Sequence, residues 1–138
     1  MHARNRLTIR LNRHLLLDSG LTATDYKILA GLSEQPAGRM PAQELCSLLQ
    51  WEKSRLSHQA QRMQEHGLIV REPNPADARS VMVCLLPAGR RAIEEAAPQH
   101  VKHVRQHMID LFTPAELETL AALNERVLRH LAAEPFCE

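Results

Sequence analysis

Apolar residues recur at helical spacing near the start of the chain. Three leucines follow one another at four-residue intervals, namely Leu7, Leu11 and Leu15. This spacing places them on one face of a helix, which Gly20 is expected to end. Thr22 and Asp25 then have the spacing of a capping box, in which each side chain accepts a hydrogen bond from a free backbone amide. The pattern therefore predicts one helix before Gly20 and a second one after Thr22.

The next stretch predicts a helix-turn-helix unit. Pro41 is well placed to start a short helix, whose buried side is expected to carry Leu45, Leu48 and Leu49. After a brief turn at Gln50 and Trp51, the pattern predicts a longer helix over residues 52–66. A rotation of about 100° per residue places three of its apolar side chains on the core side, namely Leu56, Ala60 and Met63. Two such helices joined by a tight turn are typical of helix-turn-helix proteins.

Beyond Gly67 the pattern changes from helical to strand-like. Residues 68–70 and 81–85 are rich in β-branched and aliphatic side chains. Pro73 and Pro75 stand between the two runs, in a segment that suits a turn. The two runs therefore predict a β-hairpin.

Two further helices are predicted towards the end of the chain. The first runs from Pro87 through Met108, and Pro98 is expected to kink it or split it in two, because proline removes a backbone hydrogen bond. Thr113 and Glu116 form a second capping box. The helix after it carries an apolar stripe of Leu117, Leu120, Leu123, Val127, Leu128 and Leu131. Because such stripes at both ends of a small chain would be exposed to water, a homodimer is expected.

Composition and charge narrow the class of protein. The 138 residues carry a formal net charge of +1, and no apolar run is long enough to span a membrane. The N-terminus lacks the apolar core of a signal peptide, so a cytoplasmic protein is expected. Three cysteines without a Cys-x-x-Cys pair suit a reducing compartment, namely Cys46, Cys84 and Cys137. Since the chain has no Gly-rich phosphate loop, Gly-x-Ser-x-Gly elbow or His-Glu-x-x-His pair, we expect neither an enzyme nor a cofactor.

The polar face of the helix over residues 52–66 carries hydrogen-bond donors. Its outward side chains are Ser54, Ser57, His58 and Gln61, flanked by Arg55 and Arg62. No acidic side chain falls on this face before Glu65. Because arginine pairs with guanine and glutamine with adenine, such a face suits the major groove of DNA. Arg79, at the tip of the predicted hairpin, suits the narrow minor groove, and Asp77 is close enough to hold it or a neighbouring basic group by a charge-assisted hydrogen bond.

These segments resemble the MarR (multiple antibiotic resistance regulator) family from about Gly20 to the C-terminus. The matching motifs are Gly20-Leu21-Thr22, Lys53-Ser54-Arg55-Leu56-Ser57, Gly67-Leu68-Ile69, Asp77-Ala78-Arg79 and Pro87-Ala88-Gly89-Arg90. The resemblance implies a mainly α-helical winged helix-turn-helix fold with a small β-hairpin wing, in a single domain over residues 1–138. Residues 22–87 would form its DNA-binding lobe, and residues 1–19 and 88–138 its dimerisation helices.

The resemblance also implies a function. Members of the family are dimeric transcription factors, usually repressors, which bind a palindromic site in double-stranded DNA and are often released by a small aromatic ligand. Arg79 resembles the family's minor-groove arginine, and Asp77 resembles the carboxylate that orients it. The contacts of the recognition helix with bases and phosphates are expected from Lys53, Ser54, Arg55, Ser57, His58 and Arg62. Leu86 replaces the threonine that normally caps the fifth helix, which predicts a helix start weaker by about 1 kcal/mol if no other group caps it.

Alternatives stay open at this point. Residues 52–79 hold five basic and four acidic side chains, a modest surplus that is compatible with a winged-helix module that binds another protein. His100, His103 and His107 lie on one helical face, and two histidines one turn apart can bind a metal. A metal-responsive regulator of the same fold, or a redox-responsive one that uses Cys46, is therefore a further alternative.

Overall fold

The computed structural model describes residues 2–133, and Cys137 lies outside this range. Six α-helices, three strands and one 3-10 turn follow one another in this part of the chain. The helices are α1 (His2–Ser19), α2 (Ala23–Ser33), α3 (Ala42–Leu49), α4 (Lys53–Glu65), α5 (Pro87–His107) and α6 (Pro114–Leu131). The strands are β1 (Arg39–Pro41), β2 (Ile69–Asn74) and β3 (Asp77–Leu85), and the 3-10 turn is Ile109–Leu111. Not one of these helices has the length and apolar character needed to cross a membrane.

Local signals set where the helices begin and end. Thr22 Oγ1 accepts a hydrogen bond from the amide of Asp25, and Asp25 Oδ2 accepts one from the amide of Thr22, which closes the capping box of α2. Thr113 and Glu116 form the same reciprocal pair at the start of α6. Gly20 follows the last residue of α1 with a φ of 73°, in the left-handed region that favours glycine. Both capping boxes and the glycine stop are thereby confirmed.

The sheet has one strand more than the sequence predicted. β2 and β3 form the expected antiparallel hairpin, and β1 pairs with the other side of β3, which gives the order β1-β3-β2. Met40 of β1 lies opposite Val83 of β3. A strand of three residues is too short to show an alternating pattern, so it could not be predicted from the sequence. Pro41 ends this strand and precedes α3, which begins at Ala42 and not at Pro41 as predicted.

The core gathers apolar side chains from α2, α3, α4 and the sheet. The largest fully buried ones are Ile28, Leu29, Leu32, Leu45, Cys46, Met63, Ile69 and Val83. Leu56 and Ala60 are buried together with Met63, which confirms the predicted inner face of α4. The prediction for Leu48 is wrong, because its side chain is 55% exposed. The inward face of α3 is centred on Leu45 and Cys46, and Leu48 projects from the edge of that face.

The long helix α5 packs against α1 and α2. It runs unbroken from Pro87 to His107, so Pro98, which is exposed, does not split it. Packing against α1 and α2 holds α5 together in spite of the one missing backbone hydrogen bond. Leu86 stands at the N-cap of α5, which has no side-chain cap hydrogen bond.

Gly89, in the first turn of α5, lies against the backbone at the start of β2. A Cβ atom at this position would collide with the carbonyl oxygen of Leu68 and would lie 2.9 Å from Leu85 Cδ1. The carbonyl cannot move aside without a shift of the chain. We therefore predict that Gly89→Ala lowers the free energy of unfolding by about 1–3 kcal/mol, as measured by urea denaturation at a fixed protein concentration.

Gly31→Ala provides the matched control. Gly31 also lies in a helix, and a Cβ atom there would meet Leu48 Cδ2 at 3.1 Å, which is the end of an exposed side chain that can rotate. Alanine is favoured over glycine inside a helix by about 1 kcal/mol. This variant should be as stable as the parent or more stable, and an equal loss in both variants would contradict the role given to the Leu68 carbonyl.

Candidate nucleic-acid interface

The helix α4 has one buried and one exposed side. Its buried side chains are Leu56, Gln59, Ala60 and Met63. Its exposed side chains include all the helix residues that were predicted to contact DNA, namely Lys53, Ser54, Arg55, Ser57, His58 and Arg62. No acidic residue occurs in α4 before Glu65. The exposed side therefore offers hydrogen-bond donors and positive charge.

Arg55 is held over the ring of Trp51. Its guanidinium carbon lies 4.2 Å from the centre of the indole ring, and Trp51 itself is only 3% exposed. This cation–π contact restrains the guanidinium without neutralising its charge, since no carboxylate within residues 2–133 forms an ion pair with Arg55. This role of Trp51 was not predicted from the sequence. The available signal was an aromatic residue four positions before an arginine.

A partly buried hydrogen bond joins α4 to α2. Gln59 Nε2 donates to Asp25 Oδ1 at 2.6 Å, and Gln59 is only 7% exposed. The other carboxylate oxygen of Asp25 accepts from the amide of Thr22 in the capping box of α2. The carboxylate of Asp25 therefore caps α2 and also anchors α4. The cap is visible in the sequence, but the role of Gln59 is not, because a partner 34 residues away leaves no local signal.

We call the β2–β3 hairpin the wing. Side chains at its tip form hydrogen bonds within the turn itself. Asp77 Oδ1 accepts a hydrogen bond from the backbone amide of Arg79 at 3.0 Å. Asn74 accepts one from the amide of Ala76 and donates another to Ser80 Oγ. The expected bond from the Arg79 side chain to Asp77 is therefore replaced by a backbone bond, because an aspartate readily reaches the amide two residues further on. Asp77 thus shapes the turn that carries the exposed Arg79.

The wing is joined to the last turn of α4 through Gln64. Its Oε1 accepts hydrogen bonds from the backbone amide and from Nε of Arg71, at 3.0 and 3.2 Å. Arg71 lies in β2, so these bonds connect the helix directly to the hairpin. They restrain the spacing between the exposed side of α4 and the tip of the wing.

A groove of about 420 Å³ opens between α3, α4 and the wing, and we call it the wing groove. Its charged lining residues are Lys53, Arg71, Arg79 and Asp77. Its apolar lining includes Leu56, Ala60, Val81 and Val83. The wing groove therefore combines apolar walls with a surplus of positive charge.

Cys46 and Cys84 are both buried. Desolvation raises the pKa of the Cys84 thiol in spite of the neighbouring Arg39, which acts in the opposite direction. Because the thiolate is the reactive form of cysteine, Cys84 is poorly suited to redox sensing.

Comparison with known proteins identifies the family. The model of the MarR family matches residues 19–80. The multiple antibiotic resistance protein MarR of Salmonella typhimurium is 30% identical over 124 residues, which cover 90% of this chain and 85% of that protein. The chain belongs to the MarR family.

Solved structures of MarR-family transcriptional regulators share this fold. AbsC from Streptomyces coelicolor matches with a TM-score of 0.92 and 36% identity, over 96% of this chain and 89% of that one. Sco3205 from the same organism, solved in complex with DNA, matches with a TM-score of 0.90 and 32% identity, over 94% of this chain and 81% of that one. This MarR-family chain is therefore a transcriptional regulator and not an enzyme, with the mostly helical winged helix-turn-helix fold that the sequence predicted.

Gln59→Leu tests the anchor between α4 and α2. The substitution keeps the side chain buried and removes the donor, so that Asp25 Oδ1 loses its partner. We expect a loss of about 1–3 kcal/mol in the free energy of unfolding, measured by urea denaturation. Gln61→Leu, at an exposed position of the same helix, is the matched control and should leave the stability close to that of the parent. Equal denaturation midpoints for Gln59→Leu and the parent would rule out the anchor.

Proposed function

We propose that this MarR-family chain binds double-stranded DNA with sequence specificity through α4 and the wing. The observation that supports this best is the exposed, donor-bearing side of α4, which is held at a restrained distance from the wing by Gln64 and Arg71. The major groove admits a helix, and Arg55 is suited to pair with guanine there. Arg79 would reach the flanking minor groove, where the negative potential favours a cation.

The side chains of the interface divide into three roles. We assign the contacts with base edges to side chains in the first half of α4, because recognition helices contact bases with their N-terminal residues. The residues given this role are Arg55, Ser57 and His58. Phosphates are assigned to Lys53, Ser54 and Arg62, at the two ends of the helix. Asp77 acts indirectly, since it orients the backbone that carries Arg79.

A related structure supports the proposal. Sco3205, which is 32% identical to this chain, was solved in complex with DNA. The two structures superpose with a TM-score of 0.90. A protein so similar in fold and sequence is expected to bind the same class of macromolecule.

We infer that two copies assemble through the terminal helices. No residue of α6, all of which is described, is buried. Its exposed large apolar side chains are Leu123, Val127, Leu128 and Leu131, and α1 adds Ile9, Leu16 and Leu17. Such surfaces favour association, because covering them removes apolar area from water. A second copy offers the same surfaces, so a two-fold dimer is self-complementary.

A two-fold dimer presents two copies of α4 to DNA. The two helices would enter successive major grooves about 34 Å apart on a palindromic operator. Repression is the role we propose, because a dimer bound across a promoter excludes other proteins from it.

We propose that a small aromatic acid releases the protein from DNA by binding in the wing groove. Apolar walls suit its ring, and the cations Lys53, Arg71 and Arg79 suit its acidic group. Because Lys53 and Arg79 are also assigned to DNA, ligand and DNA would compete for the same charges. Release requires that the ligand prefer the protein without DNA, since equal affinity for both states shifts nothing.

A module that binds another protein is the second candidate function. The surplus of only one positive charge over residues 52–79 favours it. This candidate predicts no salt-dependent binding to DNA. A DNA titration at two salt concentrations therefore separates the two functions.

Fluorescence anisotropy with a duplex from upstream of the protein's own gene tests DNA recognition. The parent should prefer this duplex over a scrambled one and should lose affinity as salt rises, because binding releases counterions from phosphates. Arg55→Ala should reduce the preference by the equivalent of about 1–3 kcal/mol, the discrimination expected of one bidentate contact. Arg79→Ala should weaken binding to both duplexes alike.

Arg105→Ala is the control for this experiment. Arg105 is exposed near the end of α5, and its variant should bind both duplexes as the parent does. Parental affinity and preference in Arg55→Ala and Arg79→Ala would refute the proposed interface. Weak binding by the parent, equal on both duplexes and insensitive to salt, would favour the protein-binding module.

Leu128→Asp should convert the dimer to a monomer. Leu128 is 64% exposed on α6, and a carboxylate is strongly disfavoured in an apolar interface. Size-exclusion chromatography with light scattering gives the mass directly. Leu48→Asp places the same charge on α3, at a side chain with similar exposure, and should leave the mass of the dimer unchanged. A monomeric parent would overturn the assembly.

A further inference from the structure

Three histidines meet where α1 packs against α5. His14 belongs to α1, and His103 and His107 belong to the end of α5. Each offers one ring nitrogen, and these three nitrogens lie within 4.8 Å of one another. The ring centres of His14 and His103 are 4.0 Å apart, and those of His14 and His107 are 5.7 Å apart. No other group of three potential metal ligands lies as close together within residues 2–133.

Asp18 orients one ring of this cluster. Its Oδ2 lies 2.9 Å from His103 Nε2. The other nitrogen of the same ring, Nδ1, is buried and has no hydrogen-bond partner among the described residues. A histidine that binds a metal through one ring nitrogen commonly donates the N–H of its other ring nitrogen to a carboxylate. Asp18 and His103 therefore already have the relation of the carboxylate and the histidine in such a site.

The histidines that lie close together in the tertiary structure differ from the group that the sequence suggested. The sequence grouped His100 with His103 and His107, but the ring of His100 packs against Tyr26 of α2, with 4.4 Å between ring centres. His14 takes its place from the other end of the chain. Asp18 follows His14 by one helical turn and contributes the carboxylate that the sequence did not place.

We propose that His14, His103 and His107 form a binding site for a divalent transition-metal ion of the Zn²⁺ type, with Asp18 as a positioning residue. Neutral imidazole is a ligand that Zn²⁺, Cu²⁺ and Ni²⁺ favour. The site uses no side chain assigned to DNA and goes beyond the proposed function. It would link α1 to α5 through the ion.

The distances are compatible with this assignment. In a tetrahedral site with Zn–N bonds of about 2.0–2.1 Å, the ligand nitrogens are about 3.4 Å apart. The nitrogens of the cluster therefore have to approach one another by at most about 1.4 Å. The stacked rings also have to tilt, because the lone pairs lie in the ring planes and must converge. The three side chains are only partly buried, which leaves room for this movement. Asp18 favours a cation near His14, and Arg10 opposes it.

Calorimetric titration of the full chain with ZnCl₂ tests the site. The protein carries no affinity tag, and a chelator first removes any bound metal and is itself removed. The heat then measured comes from zinc binding to the protein's own residues. The parent should bind one Zn²⁺ per chain. Asp18→Asn should weaken this binding about 10- to 100-fold, as the loss of an orienting carboxylate does, and His14→Ala and His107→Ala should weaken it further. Excess Mg²⁺, which prefers oxygen ligands, should not compete.

His66→Ala is the matched control, because His66 is exposed at the end of α4 and should not affect zinc binding. Co²⁺ gives a second readout, since the visible absorption of a tetrahedral complex should appear in the parent and be lost in the His14→Ala, His107→Ala double variant. Circular dichroism without metal checks that the variants fold. Absence of zinc binding in the parent, or zinc binding that persists in the double variant, would overturn the site. Neither result affects the DNA experiment, which is done without zinc.

Discussion

The rest of the structure depends on how α4 is placed. This helix has to bury one side in the core and expose the other side to solvent. Leu56, Ala60 and Met63 enter the core, and burial of a side chain the size of methionine contributes about 1.5–3 kcal/mol. Apolar contact alone is not directional, so it leaves the rotation of the helix loosely set. The hydrogen bond from Gln59 to Asp25 adds that direction, and Asp25 is in turn held by the capping box of α2. The outward side chains of α4 are thus oriented by its buried side.

The helix α5 connects the two regions to which we assign functions, the proposed DNA interface and the terminal helices. Its first turn lies against the start of β2 at Gly89, and its end meets α1 at His103. Its 21 residues span about 32 Å at 1.5 Å per residue. A change in the packing between α1 and α5 would therefore alter how the terminal helices are placed relative to α4 and the wing. Ile93 and Ala96 hold the middle of the helix in the core.

The distribution of charge matters more than its sum. The net charge of +1 is small for a protein proposed to bind DNA. The exposed side of α4 nevertheless carries Lys53, Arg55 and Arg62, and the wing adds Arg79. Acidic residues compensate for them elsewhere, including Glu116, Glu118 and Glu125 in α6. Because exposed charges are screened beyond about 10 Å at moderate salt, the local surplus determines the field that a phosphate meets.

The sequence by itself determined the features that depend on residues close to one another along the chain. These are the capping boxes, the stop at Gly20, the two sides of α4 and the β2–β3 hairpin, and the motifs in them were sufficient to indicate the family. The tertiary structure decided the pairings between distant segments, namely β1 with β3, Gln59 with Asp25, and His14 with His103 and His107. It also decided that Leu48 is exposed, because the sequence pattern does not show where the inward face of a short helix ends. The physical reason for the distant pairings is that a contact between residues far apart in sequence has no periodicity along the chain, and only the packing of the intervening elements brings its partners together.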